Sequence, residues 1–103
     1  MIELRAVDFQ ETIKTGTKVI LMVMPQFCPP CHAATRILEE IEPSHPDKTF
    51  FKVNFYESKR LVESLKIESA PVLLIFKEGV EEERFVGFPE KKEAYINLIG
   101  KVP

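Results

Sequence analysis

Lys18, Val19, Ile20, Leu21, Met22, Val23 and Met24 form a nearly continuous apolar run of strand length, the pattern of a strand buried on both faces. Further along, the period changes. Ala34, Ile37, Leu38 and Ile41 fall at i, i+3, i+4 and i+7, one apolar stripe on an amphipathic helix. Pro43-Ser44-His45-Pro46 stops that helix. Residues 49–55, aromatic and β-branched, read as a strand. Ser58 then caps a helix whose Leu61, Val62 and Leu65 face inward. Residues 71–76 are another apolar strand, Glu78-Gly79 a turn, and residues 82–86 the strand that follows it. A tail helix from Pro89 carries Tyr95, Leu98, Ile99 and Val102 at core spacing.

Before the long apolar run, residues 2–6 read as a short first strand. Asp8 with Glu11 three residues later has the form of a capping box, with Phe9 and Ile13 spaced for one apolar face and Gly16 suited to the helix end. The order is β-α-β-α-β-α-β-β-α. Early alternation calls for parallel strands joined by crossover helices, and the late hairpin adds antiparallel ones. The expected class is α/β, a mixed central sheet flanked by helices.

Composition narrows the function. At 103 residues the chain is expected to be one domain, 1–103, with a core that needs no disulfide staples. Its hydrophobic content of 45% suits a soluble globule, and no repeat or low-complexity tract interrupts it. The formal charge is −2, and its lysines and arginines lie among acids, as in Lys91-Lys92-Glu93. No basic patch invites nucleic acid or a membrane surface. Glu3, Arg5 and Asp8 stand where a signal peptide would need an apolar stretch. The longest apolar run is far short of the roughly 20 residues that span a bilayer. The expectation is a cytoplasmic protein.

The chemistry sits in residues 24–34, MPQFCPPCHAA, which hold the chain's 2 cysteines, Cys28 and Cys31. In a reducing compartment a lone close pair is more often catalytic or metal-binding than structural. Cys28 follows a buried strand and opens a helix, where unpaired amides and the positive end of the dipole favour a thiolate. Thiol pKa values at such places fall to roughly 3.5–7.5. Cys28, nearer the loop, is then the nucleophile, and Cys31, one turn inside, resolves the mixed disulfide. Pro29 and Pro30 suit a first helical turn, yet each removes an amide donor. Because a residue before proline is pushed out of the α region, the helix is expected to begin at Pro30, with the amides of Cys31 and His32 left as donors.

Other readings share these letters. Cys28-x-x-Cys31-His32 also spells a haem attachment site, with His32 as proximal ligand and Met1, Met22 or Met24 opposite. Nothing marks export, and a βαβ frame is a poor haem pocket. A zinc site would recruit His45 and a fourth ligand, without the usual paired-histidine spacing. Two buried, inert cysteines remain the plainest alternative.

Phe27-Cys28-Pro29-Pro30-Cys31, the helix after it, Ser69-Ala70-Pro71 opening an apolar strand, and Gly87 before the last helix together resemble the thioredoxin family. The resemblance runs over nearly the whole chain, with the x-Pro strand about 40 residues after the cysteines. It implies the thioredoxin fold and thiol–disulfide oxidoreductase activity through a redox-active disulfide, with no separate cofactor and no metal. It implies protein disulfide substrates, an electron donor of the thioredoxin-reductase type or a small thiol, and a monomer. Pro71 is then cis beside the cysteines, and the Ala70 backbone pairs with substrate backbone as a strand addition in miniature. Phe27, Pro29, Pro30, Ala70, Pro71 and Gly87 form the substrate-binding surface.

Three positions depart from the family pattern. Phe27 stands where Trp is common, keeping an apolar wall without the indole N–H. Pro29-Pro30 replaces Gly-Pro and shares its first proline with many glutaredoxins. Met22, six residues before Cys28, stands where the family carries a buried Asp that deprotonates the resolving thiol. The matching family lysine is present as Lys52, and His32 beside Cys31 is a substitute proton carrier. A redox-silent or redox-sensing binding module is the competing function, and iron–sulfur ligation at a dimer interface a further one. Length and the first βα unit favour thioredoxin over glutaredoxin.

Overall fold

In a computed structural model, which describes residues 1–100, the elements follow in the expected order. They are β1 (Ile2–Glu3), α1 (Phe9–Ile13), β2 (Lys18–Met24), α2 (Pro29–Ile41), β3 (Lys48–Asn54), α3 (Lys59–Ser64), β4 (Val72–Lys77), β5 (Val80–Val86) and α4 (Lys92–Gly100). The strands form one sheet in the order β1-β3-β2-β4-β5. β1 and β2 run parallel to β3, whereas β4 is antiparallel to β2 and β5.

Every residue of β2, the central strand, is buried. Its side chains alternate between two cores, as the period of a strand requires. Val19, Leu21 and Val23 pack with Phe9 and Ile13 of α1 and Leu61 and Val62 of α3. Ile20, Met22 and Met24 pack on the other face with Cys31, Ala34 and Leu38 of α2 and Tyr95 and Ile99 of α4. The continuous apolar run therefore has a physical cause: both faces of this strand are covered. Val102, expected on the last helix, lies outside the described residues.

Several local expectations are corrected. The first strand stops at Glu3, and Ala6–Asp8 turns as a 3-10 helix. Asp8 makes no side-chain cap on α1; its Oδ2 accepts from Arg5 Nε at 3.1 Å instead. α1 ends at Ile13 without a left-handed glycine at Gly16, because the Gly79 amide donates to the Ile13 carbonyl at 2.7 Å. Ser58 likewise makes no side-chain cap, its carbonyl accepting from the Val62 amide at 2.9 Å. The far end of α3 is closed by a side chain from β5, with Arg84 Nη2 donating to the Leu65 carbonyl at 2.7 Å. β3 and β4 are each displaced one residue from expectation, and β5 starts earlier, at Val80.

The turn Glu78-Gly79 has positive φ at both residues, 51° and 85°. That is the type I′ hairpin geometry that matches strand twist. α4 begins at Lys92 rather than Pro89. Gly87, at φ 92°, and a buried Pro89 instead form an irregular loop that carries the chain from β5 into the helix.

Candidate active site

Register places the site. Val23 of β2 pairs with Val72 of β4, and Val72 pairs with Val86 of β5. One residue beyond each lie Met24, Pro71 and Gly87, so three chain segments meet at one end of the sheet. The ends are tied by backbone bonds: the Phe55 amide to the Met24 carbonyl at 2.8 Å, and the Gly87 amide to the Pro71 carbonyl at 2.8 Å. The Ala70–Pro71 peptide bond is cis, as the resemblance implied, and Pro71 is buried.

Cys28 is the N-cap of α2, extended at φ −146° and ψ 99°, as a residue before proline should be. Pro29 and Pro30 occupy the first two helical positions, so the helix opens at Pro29 and not at Pro30. The bias against helix before Pro30 gives way because Pro29, at the first position, has no amide that the helix needed. The second expected donor is also corrected. The His32 amide donates to the Cys28 carbonyl at 3.0 Å and closes the first turn. Of the first three helical positions, only Cys31 therefore carries an amide, and it has no intrahelical acceptor.

Cys28 and Cys31 are joined by a disulfide, with their Cα atoms 5.2 Å apart. Its two ends differ in environment. Cys31 is 0% exposed inside the α2–α4 core, whereas Cys28 is partly exposed and packs against that same cluster, as Ala70 does. His45 lies beyond the far end of α2, about 20 Å along a 13-residue helix, too distant to share an ion with the cysteines. Among the described residues no group of three or more His, Cys, Asp or Glu is placed to hold a metal.

The remaining expected residues fall in three places. Pro29 and Pro30 are exposed at the helix opening. Phe27 is 89% exposed, so its ring is a projecting contact rather than a packed wall. His32 and Lys52 line one cleft of about 380 Å³ with Met24, Gln26, Glu3 and Glu57. Lys52 is the register partner of Met22 on the neighbouring strand. Met22 itself is 0% exposed and apolar, packed in the cluster that holds Cys31.

Three further residues at this end escaped the sequence reading. Thr35, one turn past Cys31 and buried, is 3.0 Å from the Cys31 carbonyl and 3.1 Å from Met24 Sδ, both within reach of its hydroxyl. Phe88 and Val86 flank Gly87 and stay exposed. An i to i−4 hydroxyl bond is a habit of helical threonines and was readable in principle. An exposed aromatic carries no periodic signal.

A sheet layered between helices, with a disulfide where a helix opens and a cis-proline at the same sheet end, defines a class: proteins that exchange thiols for disulfides. Comparison narrows the class. The family model described as Thioredoxin matches residues 1–101. A thioredoxin from Chlamydia trachomatis is 35% identical over 94 residues, covering 91% of this chain and 90% of that one. Among solved structures, Plasmodium falciparum thioredoxin superposes with a TM-score of 0.90 at 23% identity, covering all of both chains. The oxidized mitochondrial thioredoxin 3 of Saccharomyces cerevisiae gives 0.88 at 20% identity, over 99% of this chain and 95% of that one. The chain belongs to the thioredoxin family and is a protein disulfide oxidoreductase. No helix among the described residues is long and apolar enough to cross a membrane.

Proposed function

We propose that the reduced protein attacks protein disulfides through Cys28 and completes the exchange through Cys31. The Cys28 thiolate attacks one substrate sulfur, breaks the substrate S–S bond and forms a mixed disulfide, releasing one substrate thiolate. Cys31 then gives up its proton and attacks Cys28 Sγ. The Cys28–Cys31 disulfide forms, and the second substrate thiolate leaves and is protonated. Two electrons have passed to the substrate, with one proton from Cys31 and a second taken from solvent by the first thiolate released. A thioredoxin-reductase-type enzyme or a small thiol returns the pair to the dithiol.

The observation that carries this assignment is the difference in exposure across the disulfide. A protein substrate can reach the partly exposed Cys28 sulfur, whereas Cys31 at 0% exposure reacts with what Cys28 has already captured. Phe27, Pro29 and Pro30 contact the substrate from the helix side. Ala70, Pro71 and Gly87 contact it from the sheet side, where the Ala70 backbone pairs with the substrate chain. With Met22 apolar, His32 and Lys52 in the adjoining cleft exchange protons with solvent for the Cys31 step. The chain acts as one domain, a monomer in the cytoplasm, with its own disulfide as the sole redox group.

Insulin reduction by dithiothreitol tests the assignment. The parent should accelerate it, and Cys28→Ser should not. Cys31→Ser should accumulate a covalent adduct with a protein disulfide, through Cys28 and reversible by reductant. An adduct that forms instead in Cys28→Ser would reverse the two roles. Absence of turnover with partner binding retained would make the fold a redox-silent binding module.

A further inference from the structure

We infer that His32 is a positioning residue that latches the loop carrying Cys28. The observation is a hydrogen bond of 2.6 Å between His32 Nε2 and the carbonyl oxygen of Gln26, six residues earlier. A carbonyl oxygen can only accept, so Nε2 carries the hydrogen and donates. The ring's other nitrogen, Nδ1, is the one left to take up or release a proton.

The need for such a latch follows from the two prolines. A helix start normally offers several unpaired amides to the segment that precedes it. Here the first two positions are Pro29 and Pro30, which have no amide hydrogen. His32 makes up the shortfall with its side chain. Its backbone amide closes the helix's own first turn on the Cys28 carbonyl at 3.0 Å, whereas its ring donates to Gln26, in the segment before the helix. Packing offers this loop little help, since Gln26 is exposed and Phe27 is 89% exposed. The loop is held upstream at Met24, by the Phe55 amide, and downstream at the opening of α2. Between those points the hydrogen bond that reaches it from the helix is the His32 ring. Releasing that bond frees the backbone of Gln26 and Phe27, immediately before the sulfur that must align with an incoming disulfide.

This role rests on the oxidoreductase reading but has a readout that does not depend on activity. Two variants separate latching from proton transfer. His32→Ala removes the donor, whereas His32→Gln keeps an amide N–H at similar reach and cannot titrate. In the oxidised protein, hydrogen exchange at the Phe55 and His32 amides, which hold the two ends of this loop at 2.8 and 3.0 Å, should quicken relative to each variant's intrinsic rate in His32→Ala and stay near the parent in His32→Gln. The rate constant of the reduced protein with a protein disulfide should fall about threefold to tenfold in His32→Ala, the effect of one net hydrogen bond. In His32→Gln it should recover part of that loss, and what remains, read with its pH dependence from about pH 6 to 8, measures the proton exchange that a glutamine cannot carry out.

Unchanged exchange in His32→Ala overturns the latch whatever the activity does. So does a His32→Gln variant as slow as His32→Ala, and a deficit confined to one side of neutrality would make proton transfer the whole contribution of His32. If neither variant nor parent turned over, the function would fail while the exchange result still judged the latch.

Discussion

The Gly87 amide donates to the Pro71 carbonyl at 2.8 Å, joining the loop after β5 to the cis-proline before β4. Gly87 reaches this position at φ 92°, in the left-handed half of backbone space. The bond extends the β4–β5 pairing one step past Val72 and Val86. It holds the sheet side of the site while the first turn of α2 holds the cysteine side.

Conformation, not space, is what restricts position 87, since nothing lies within 4 Å of an added Cβ there. Gly87→Ala keeps the amide but forces a side chain into the left-handed region, and should destabilise the oxidised protein by about 1–2 kcal/mol. Gly16 supplies the control: its site is equally open and its φ is not positive. Gly16→Ala should be neutral or stabilising by up to about 1 kcal/mol, through the unfolded chain. Urea unfolding of the two variants checks this, and equal losses would mean that the sign of φ decides nothing.

Met22 occupies the most enclosed strand, beside Lys52 and in the core of Cys31. Met22→Asp would supply a base where the chain has none. Stopped-flow reduction of a test disulfide should then be faster than with the parent. The same carboxyl is removed from water at a position 0% exposed, which should cost about 2–5 kcal/mol. Burial favours its protonated form, so the folded state binds the proton more tightly than the unfolded one. Stability of Met22→Asp should accordingly fall as pH rises above the ordinary carboxylate range. An unchanged rate would remove the buried base from the account of Cys31.

What the sequence revealed tracks what periodicity can report. The apolar run of β2, the stripe of α2 and the Glu78-Gly79 hairpin were legible because burial on two faces, on one face, or a need for positive φ each restricts residue type. The cysteine pair was legible as chemistry, and the cis-proline as family likeness. Hydrogen-bond partners were not. Asp8 and Ser58 have the right atoms for capping, yet Arg5 takes the Asp8 carboxylate and Ser58 caps nothing with its side chain. The ring of His32 finds a carbonyl that no spacing rule would have chosen. α4 starts at Lys92 rather than Pro89, after a loop in which Pro89 is buried and the Gly87 amide donates to the Pro71 carbonyl, a long-range contact that local pattern does not encode.

Lys18 is 6% exposed at the start of β2, and its Nζ lies 2.7 Å from Glu82 Oε2. The β4–β5 register shifts between Ile75 and Phe76, whose partners are Glu83 and Glu81, so Glu82 is the extra residue of a bulge. Glu82→Gln leaves a buried ammonium without its carboxylate and should cost about 2 kcal/mol, less than a fully buried pair because Glu82 keeps some contact with water. Lys18→Met in the same background should recover most of that loss, as an apolar replacement of a buried charge does. Chemical denaturation of the two variants gives both numbers, and a single-variant loss within a few tenths of a kcal/mol would make the pair incidental.

Tyr95 is 0% exposed between α4 and the sheet, its ring edge-on to Phe85 at 5.6 Å, and its hydroxyl has no hydrogen-bond partner among the described residues. An unsatisfied buried hydroxyl costs about 1–3 kcal/mol, so Tyr95→Phe, which keeps the ring contact, should stabilise the protein by about 1 kcal/mol. A second signature separates this from a general gain in packing. Burial pushes the Tyr95 hydroxyl from 10.0 up to about 12. The folded protein therefore keeps this proton to higher pH than the unfolded chain does. The resulting stability is fully present below pH 10 and is lost as pH rises through about 12. Tyr95→Phe has no such proton, so its stability should fall less steeply than the parent's across that window. Denaturant midpoints measured at neutral pH and at two alkaline values test both halves. A less stable variant at neutral pH would mean that the hydroxyl has a partner, and parallel alkaline slopes would mean that it is not held in the core.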